Sequence, residues 1–110
     1  MSEWTGDDFL DPIREALRLV IDPELGYNIV DLGLVYEIDV DDGRIAHVTM
    51  TTTTRGCPAT DYLRSGAHQA AASVTGIASA DVTMTYDPPW TPRMMSPQAK
   101  EKLLPPREKG

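Results

Sequence analysis

LVYEIDVDDGRIAHVTMTTT, residues 34–53, is the stretch on which the fold turns. Leu34, Tyr36, Ile38 and Val40 alternate with Glu37 and Asp39. A period of two predicts a half-buried strand over 34–40. Asp41-Asp42-Gly43-Arg44 reads as a hairpin turn, with Gly43 able to take positive φ. The return strand is expected over 45–53, with Ala46, Val48 and Met50 on one face and β-branched threonines favouring extension. The two strands must be antiparallel, and their common apolar face needs a covering layer.

The flanking sequence supplies that layer. Ile13, Leu17 and Val20 recur at helical spacing, which predicts a helix with Asp11 as N-cap and Pro12 in its first turn. Asp22-Pro23 ends it. Residues 22–33, DPELGYNIVDLG, read as a structured loop with apolar anchors at Ile29, Val30 and Leu32. After the hairpin a second helix is expected from about Pro58 to Val74, with Leu63, Ala67, Ala70 and Val74 on one face and Gly76 as its stop. Residues 81–86, DVTMTY, alternate again as a third strand. The proline-rich DPPWTPRMMSP follows, then a short helix capped by Ser96-Pro97 and running to Leu104. The order is α-β-β-α-β-α. The expected fold is an α+β two-layer sandwich, a small, mostly antiparallel three-stranded sheet covered by two helices. The expected layout is a flexible leader at 1–7, one domain at 8–104 and a flexible tail at 105–110.

With 110 residues the chain is sized for a single core. Its 17 acids against 10 bases give a net charge of −7, which disfavours nucleic acid and anionic lipid as partners. No apolar run approaches the roughly 20 residues of a membrane span, and the N-terminus does not read as a secretory signal, so a cytoplasmic location is expected. Cys57 is the one cysteine. It can make no intrachain disulfide and no self-contained thiolate cage.

The chemistry concentrates around that cysteine. A threonine run ending at Thr54 leads into Arg55-Gly56-Cys57-Pro58. Pro58 suits the first helical position, which places Cys57 at the N-cap. There the helix N-terminus and the Arg55 charge would favour thiolate, the form that binds soft metals or attacks electrophiles. The competing reading is a small packing residue. Asp61, one turn on, suits ordinary helix-dipole chemistry or a lean toward the thiol. His68 is eleven residues further along the same helix, about 16 Å away, and His47 sits on the threonine face of its strand; both read as packing or surface residues. Asp22, Glu24 and Asp31 serve turns and caps or line a site. Trp90, behind Pro88-Pro89, closes the edge of the core, walls a pocket or anchors a partner. No zinc spacing, phosphate loop or nucleophile elbow is present, so a conventional hydrolase or zinc enzyme is not supported.

Three segments, DPELGYNIVDLGLVYEI (22–38), MTTTTRGCPATDYL (50–63) and VTMTYDPPWTPRMMSPQAKEKL (82–103), together resemble the metal–sulfur cluster assembly factor family. That family includes the bacterial SUF-system accessory protein SufT, the phenylacetate-degradation protein PaaD and the eukaryotic cytosolic iron–sulfur targeting factor. The resemblance spans roughly residues 8–104 and implies a small α+β domain that matures or delivers iron–sulfur clusters. It places the family's reactive cysteine on Cys57, its acidic loop on Asp22, Glu24 and Asp31, and its DPPW segment on Asp87, Pro88, Pro89 and Trp90. This chain has no cysteine after Cys57, unlike the PaaD branch, so the short SUF-type branch is the closer match.

The resemblance implies an accessory factor in which Cys57 is a transient ligand to an iron–sulfur cluster or iron. The remaining ligands would come from a second copy in a homodimer, glutathione, a scaffold or an apo-client. One rival is an adaptor for a single oxygenase, binding no metal and docking through Trp90. Another is an enzyme with Cys57 as nucleophile, for which no partner base is evident.

Overall fold

The computed structural model describes residues 7–53 and 58–103. Helix α1 spans Asp7–Leu17, the short strands β1 and β2 Ile21–Asp22 and Tyr27–Asn28, and the hairpin strands β3 and β4 Val35–Val40 and Ile45–Met50. Helix α2 follows at Thr60–Ala72, strand β5 at Ser79–Met84, a 3-10 turn at Pro92–Met94 and helix α3 at Pro97–Leu103.

The hairpin forms as expected, with Ile38 opposite Val48 and Val40 opposite Ala46. The third strand joins β4 in parallel, from Ile45 opposite Ser79 to Met50 opposite Met84. The sheet order is β3-β4-β5, with one antiparallel and one parallel pair. The sheet is therefore mixed rather than mostly antiparallel, because α2 carries the chain back across the sheet before β5 starts. Helix α1 lies against β3, and α2 against β4 and β5. Ile13 and Leu17 of α1, Leu63, Ala67 and Ala71 of α2 and Ala46, Val48 and Met50 of β4 bury together, giving the expected two-layer sandwich.

Several boundaries shift. Helix α1 starts before Asp11, and Pro12 lies inside it. Phe9 is buried and extends the Ile13–Leu17 stripe by one turn, so the apolar face continues past a proline that occupies the exposed face. Strand β4 stops at Met50 instead of 53, although the Thr51 N–H still bonds the Leu34 carbonyl at 2.8 Å, one pair past Val35 opposite Met50. Strand β5 starts at Ser79, two residues ahead of expectation, where its parallel register with Ile45 begins. The anchored loop holds a two-residue antiparallel ladder, β1 with β2. Gly33 has φ +80, and a Cβ there would come within 2.9 Å of the Met94 Cβ, so the loop and the 3-10 turn meet at bare backbone. The leader up to residue 6 and the tail from residue 104, which includes the expected last residue of α3, lie outside the described residues.

A second loop anchor is polar. Arg18 Nη1 donates to both carboxylate oxygens of Asp31 at 2.9 Å, and Asn28 Nδ2 donates to Oδ2 at 2.9 Å. Ser96 N donates to the Asp31 carbonyl at 2.7 Å, tying α3 to the same point. Burial works to raise the Asp31 pKa, but the bonds from Asn28 and Arg18 outweigh it and hold the carboxyl below its ordinary range.

The outer face of the sheet carries an ionic row, Asp39 opposite His47 and His47 opposite Asp81. His47 Nε2 lies 2.9 Å from Asp41 Oδ2, and Nδ1 lies 3.7 Å from Asp81 Oδ2. The Asp41 hydrogen bond raises the His47 pKa against desolvation, and the charges of Asp41, Asp81 and Asp39 add to the rise. A raised folded value means that the His47 contribution is fully present below the unfolded value of about 6.5 and fades as pH rises through the folded value. The melting temperature is therefore expected to fall as pH rises above about 6.5. Melts of a His47→Gln variant over that range should lose this slope, and added salt should flatten it in the unmodified chain.

No helix among the described residues is long and apolar enough to cross a membrane.

Candidate functional site

The candidate site is assembled from three elements that converge on the end of β4. Asp22 ends β1 and is buried although it is a carboxylate. Its Oδ1 accepts from the N–H groups of Glu24, at 2.7 Å, and Leu25, at 3.3 Å. That is the turn role expected of Asp before Pro23. Its Oδ2 is also buried and has no hydrogen-bond partner among the described residues. Leaving such an oxygen unpaired costs about 1–3 kcal/mol, and native proteins retain such groups chiefly for a purpose other than stability.

The turn that Asp22 fixes carries Glu24 outward, where Thr53 Oγ1 donates to Glu24 Oε1 at 3.4 Å. This contact brings the acidic loop to the last described residue before the cysteine segment. Thr51 and Thr52 next to it are buried. Thr52 Oγ1 lies 3.1 Å from the Tyr86 hydroxyl, which joins the threonine run to the chain beyond β5. Tyr36 OH donates to the Pro88 carbonyl at 2.8 Å, and Trp90 Nε1 donates to the Leu32 carbonyl at 2.8 Å. All three segments singled out in the sequence are thus in direct contact. Thr52, Thr53 and Tyr86 were missed as site-building residues; the unbroken threonine run was the signal for the first two.

Thr54, Arg55, Gly56 and Cys57 lie outside the described residues. What precedes α2 nevertheless corrects one expectation. The N-cap is Ala59, with no side-chain cap hydrogen bond, and the first helical bond runs from Leu63 N to the Ala59 carbonyl. Cys57 is two residues ahead of the cap, and Pro58 lies in the turn before the helix. The buried stripe of Leu63, Ala67 and Ala71 sets where the helix starts, and that stripe does not reach back to Pro58. Since the dipole's influence is confined to the terminal turn, the argument for thiolate from an N-cap position weakens.

The remaining candidates sort by their contacts. Asp61 is exposed and pairs with Arg64 Nη2 at 2.9 Å, an ordinary i,i+3 ion pair on the helix surface. Asp31 is held in the Arg18–Asn28 clamp. Pro88 and Pro89 are exposed, while Trp90 is half-buried and packs against the core through its pinned indole. His68 is exposed on α2. Among the described residues no three His, Asp or Glu side chains come together as a metal-ligand set. Any metal at this site would therefore depend on donors beyond them, and the one thiolate the chain can offer is that of Cys57. Leu19, Ile21 and Tyr62 are large apolar side chains left exposed, and Leu19 and Tyr62 line one groove.

Comparison with known proteins identifies the family. The family model described as iron–sulfur cluster assembly protein matches residues 10–86. The Fe-S protein maturation auxiliary factor SufT of Staphylococcus aureus is 44% identical over 85 residues, covering 77% of this chain and 97% of that protein. The Fe-S protein maturation auxiliary factor YitW of Bacillus subtilis is 42% identical over 91 residues, covering 83% and 89%. A crystal structure of a domain of unknown function from Bacillus anthracis superposes with a TM-score of 0.85 at 36% identity, covering 89% of this chain and 93% of that one.

Proposed function

The chain belongs to the iron–sulfur cluster assembly protein family, and on that footing we propose that it is an accessory factor in the assembly of iron–sulfur clusters or their delivery to apo-proteins. The cluster is cargo. Cys57 gives it one thiolate for the duration of transfer, and a client, scaffold, glutathione or second copy of the chain gives the rest. The observation that carries this reading is the contact of the acidic turn with the threonine run that leads to Cys57, Thr53 to Glu24.

The parts divide the work as follows. Asp22 Oδ1 shapes the turn, Glu24 lies beside the threonines, and Asp22 Oδ2 supplies a buried oxygen with no partner among the described residues. Thr52 and Tyr86 hold the approach to the cysteine segment in place. Exposed Leu19, Ile21 and Tyr62 offer apolar surface on which a protein partner can seat. A homodimer is one way to bring a second thiolate.

The test is made in iron-limited cells lacking the gene, by the activity of a cluster-dependent dehydratase per amount of its protein. Activity is expected to fall without the gene and return with the wild-type copy. Unchanged activity would contradict the reading. An Asp22→Asn copy keeps the turn-forming Oδ1, so its melting temperature should stay within about 5 °C of wild type, while rescue should drop several-fold. Full rescue by Asp22→Asn would reduce the acidic turn to a structural device. Retention of an apo-client by a chain that never carries iron would favour the adaptor role instead.

A further inference from the structure

A groove of about 560 Å3 opens between α1 and the α2–β5 turn, and it shares no lining residue with the candidate site. Phe9, Pro12 and Ala16 form one wall, and Val74 and Gly76 belong to the other. Gly76 has φ +95, and a Cβ there would sit 2.7 Å from the Phe9 ring, so the two walls close on one another at backbone. The volume is that of a small-molecule site, and the lining is mostly apolar. Among the described residues Arg44 is its one charged lining residue.

Arg44 occupies an unusual backbone position. The Arg44 N–H bonds the Asp41 carbonyl at 2.9 Å, and the Asp41 N–H bonds the Ile45 carbonyl at 3.1 Å. This is a three-residue hairpin loop, whose third residue takes the left-handed conformation normally given to Gly or Asn. Arg44 takes it, at φ +61, although Gly43 is next to it and is not in that region. A side chain there costs about 1 kcal/mol, and strained positions of this kind gather at ligand clamps. The Ala78 N–H bonds the Arg44 carbonyl at 2.9 Å, which fixes the hairpin against the chain entering β5. Among the described residues the Arg44 side chain has no ion pair or hydrogen bond. In a chain of net charge −7, an unpaired guanidinium at the edge of an apolar groove is complementary to an anion with an apolar body.

We infer that this groove binds a small apolar monocarboxylate, its hydrocarbon part along Phe9, Pro12 and Val74 and its carboxylate on the Arg44 guanidinium. Arginine's planar fork suits a carboxylate, and burial against Phe9, Pro12 and Val74 favours an anion with an apolar body over small anions that lack one.

The test uses the full chain, titrated by calorimetry with sodium decanoate below its micelle concentration, alongside decanol and decyltrimethylammonium. Saturable one-site binding of decanoate is expected, with both comparison compounds at least about tenfold weaker. Arg44→Gly places the residue the loop conformation prefers, so its melting temperature should be no lower than wild type. Its decanoate affinity should nevertheless fall at least about tenfold. No saturable decanoate binding, equal binding of the cationic amphiphile, or wild-type affinity in Arg44→Gly would each overturn the inference.

Discussion

Cells that depend on this chain for cluster maturation under iron limitation should gain nothing from a Cys57→Ala copy: dehydratase activity is expected to stay at the level of the gene deletion, at least about tenfold below wild-type rescue. The size of the effect follows from ligand chemistry. Cys57 is the one thiol in the chain. Asp22 and Glu24 offer carboxylate oxygen, a hard donor poorly matched to a sulfide-bridged iron centre. No set of three His, Asp or Glu side chains exists among the described residues to compensate. The same variant should melt as wild type does, so that the loss reads on chemistry. Cys57→Ser, nearly isosteric but a hydroxyl, should fail equally. Substantial rescue by either variant would remove the thiolate from the mechanism.

The second large effect is on stability. Gly33→Ala is expected to destabilise the chain by about 2–4 kcal/mol and lower its melting temperature by roughly 10 °C or more. Two costs combine at Gly33. Its φ of +80 is unfavourable for an L side chain, and the new methyl would lie within 3 Å of the Met94 carbonyl carbon and Cβ. Met94 belongs to the 3-10 turn that precedes buried Met95 and the Ser96–Asp31 tie, so relief requires lifting the C-terminal segment off the loop. Gly26→Ala is the internal comparison. Gly26 has φ +69 but no atom within 4 Å of a new Cβ, so it should lose only about 1 kcal/mol. Equal melting temperatures for the two variants would show that the close approach of Gly33 to Met94 carries no weight.

The hairpin was legible because both of its signals are local, period-two alternation on either side of a four-residue turn. The partner of β5 was not. Parallel pairing with β4 depends on how α2 packs, and alternation in residues 79–84 looks the same for either direction. The early start of α1 was hidden by Pro12, a strong local signal overruled by burial of Phe9. The N-cap at Ala59 was missed for a related reason: Cys57-Pro58 is a plausible helix start in isolation, but the buried stripe from Leu63 sets another.

For the site, the quoted segments were legible as a set, and the structure brings all three together through Thr53 with Glu24, Thr52 with Tyr86 and Trp90 with Leu32. Which acids belong to it was not legible. Asp22, Glu24 and Asp31 look alike as letters. Only folding separates Asp31, neutralised by Arg18 thirteen residues away, from Asp22, whose second oxygen is buried without a partner among the described residues.

The central claim is that cluster iron is held through Cys57 together with ligands from outside the chain. It is tested most directly by reconstituting the purified chain anaerobically with ferrous iron, sulfide and glutathione, and measuring iron and sulfide bound per chain after gel filtration. The wild-type chain should retain both in equal amounts, lose them when glutathione is omitted and an apo-client is absent, and Cys57→Ser should remain at background under every condition. Equal retention of iron and sulfide by Cys57→Ser would contradict the account.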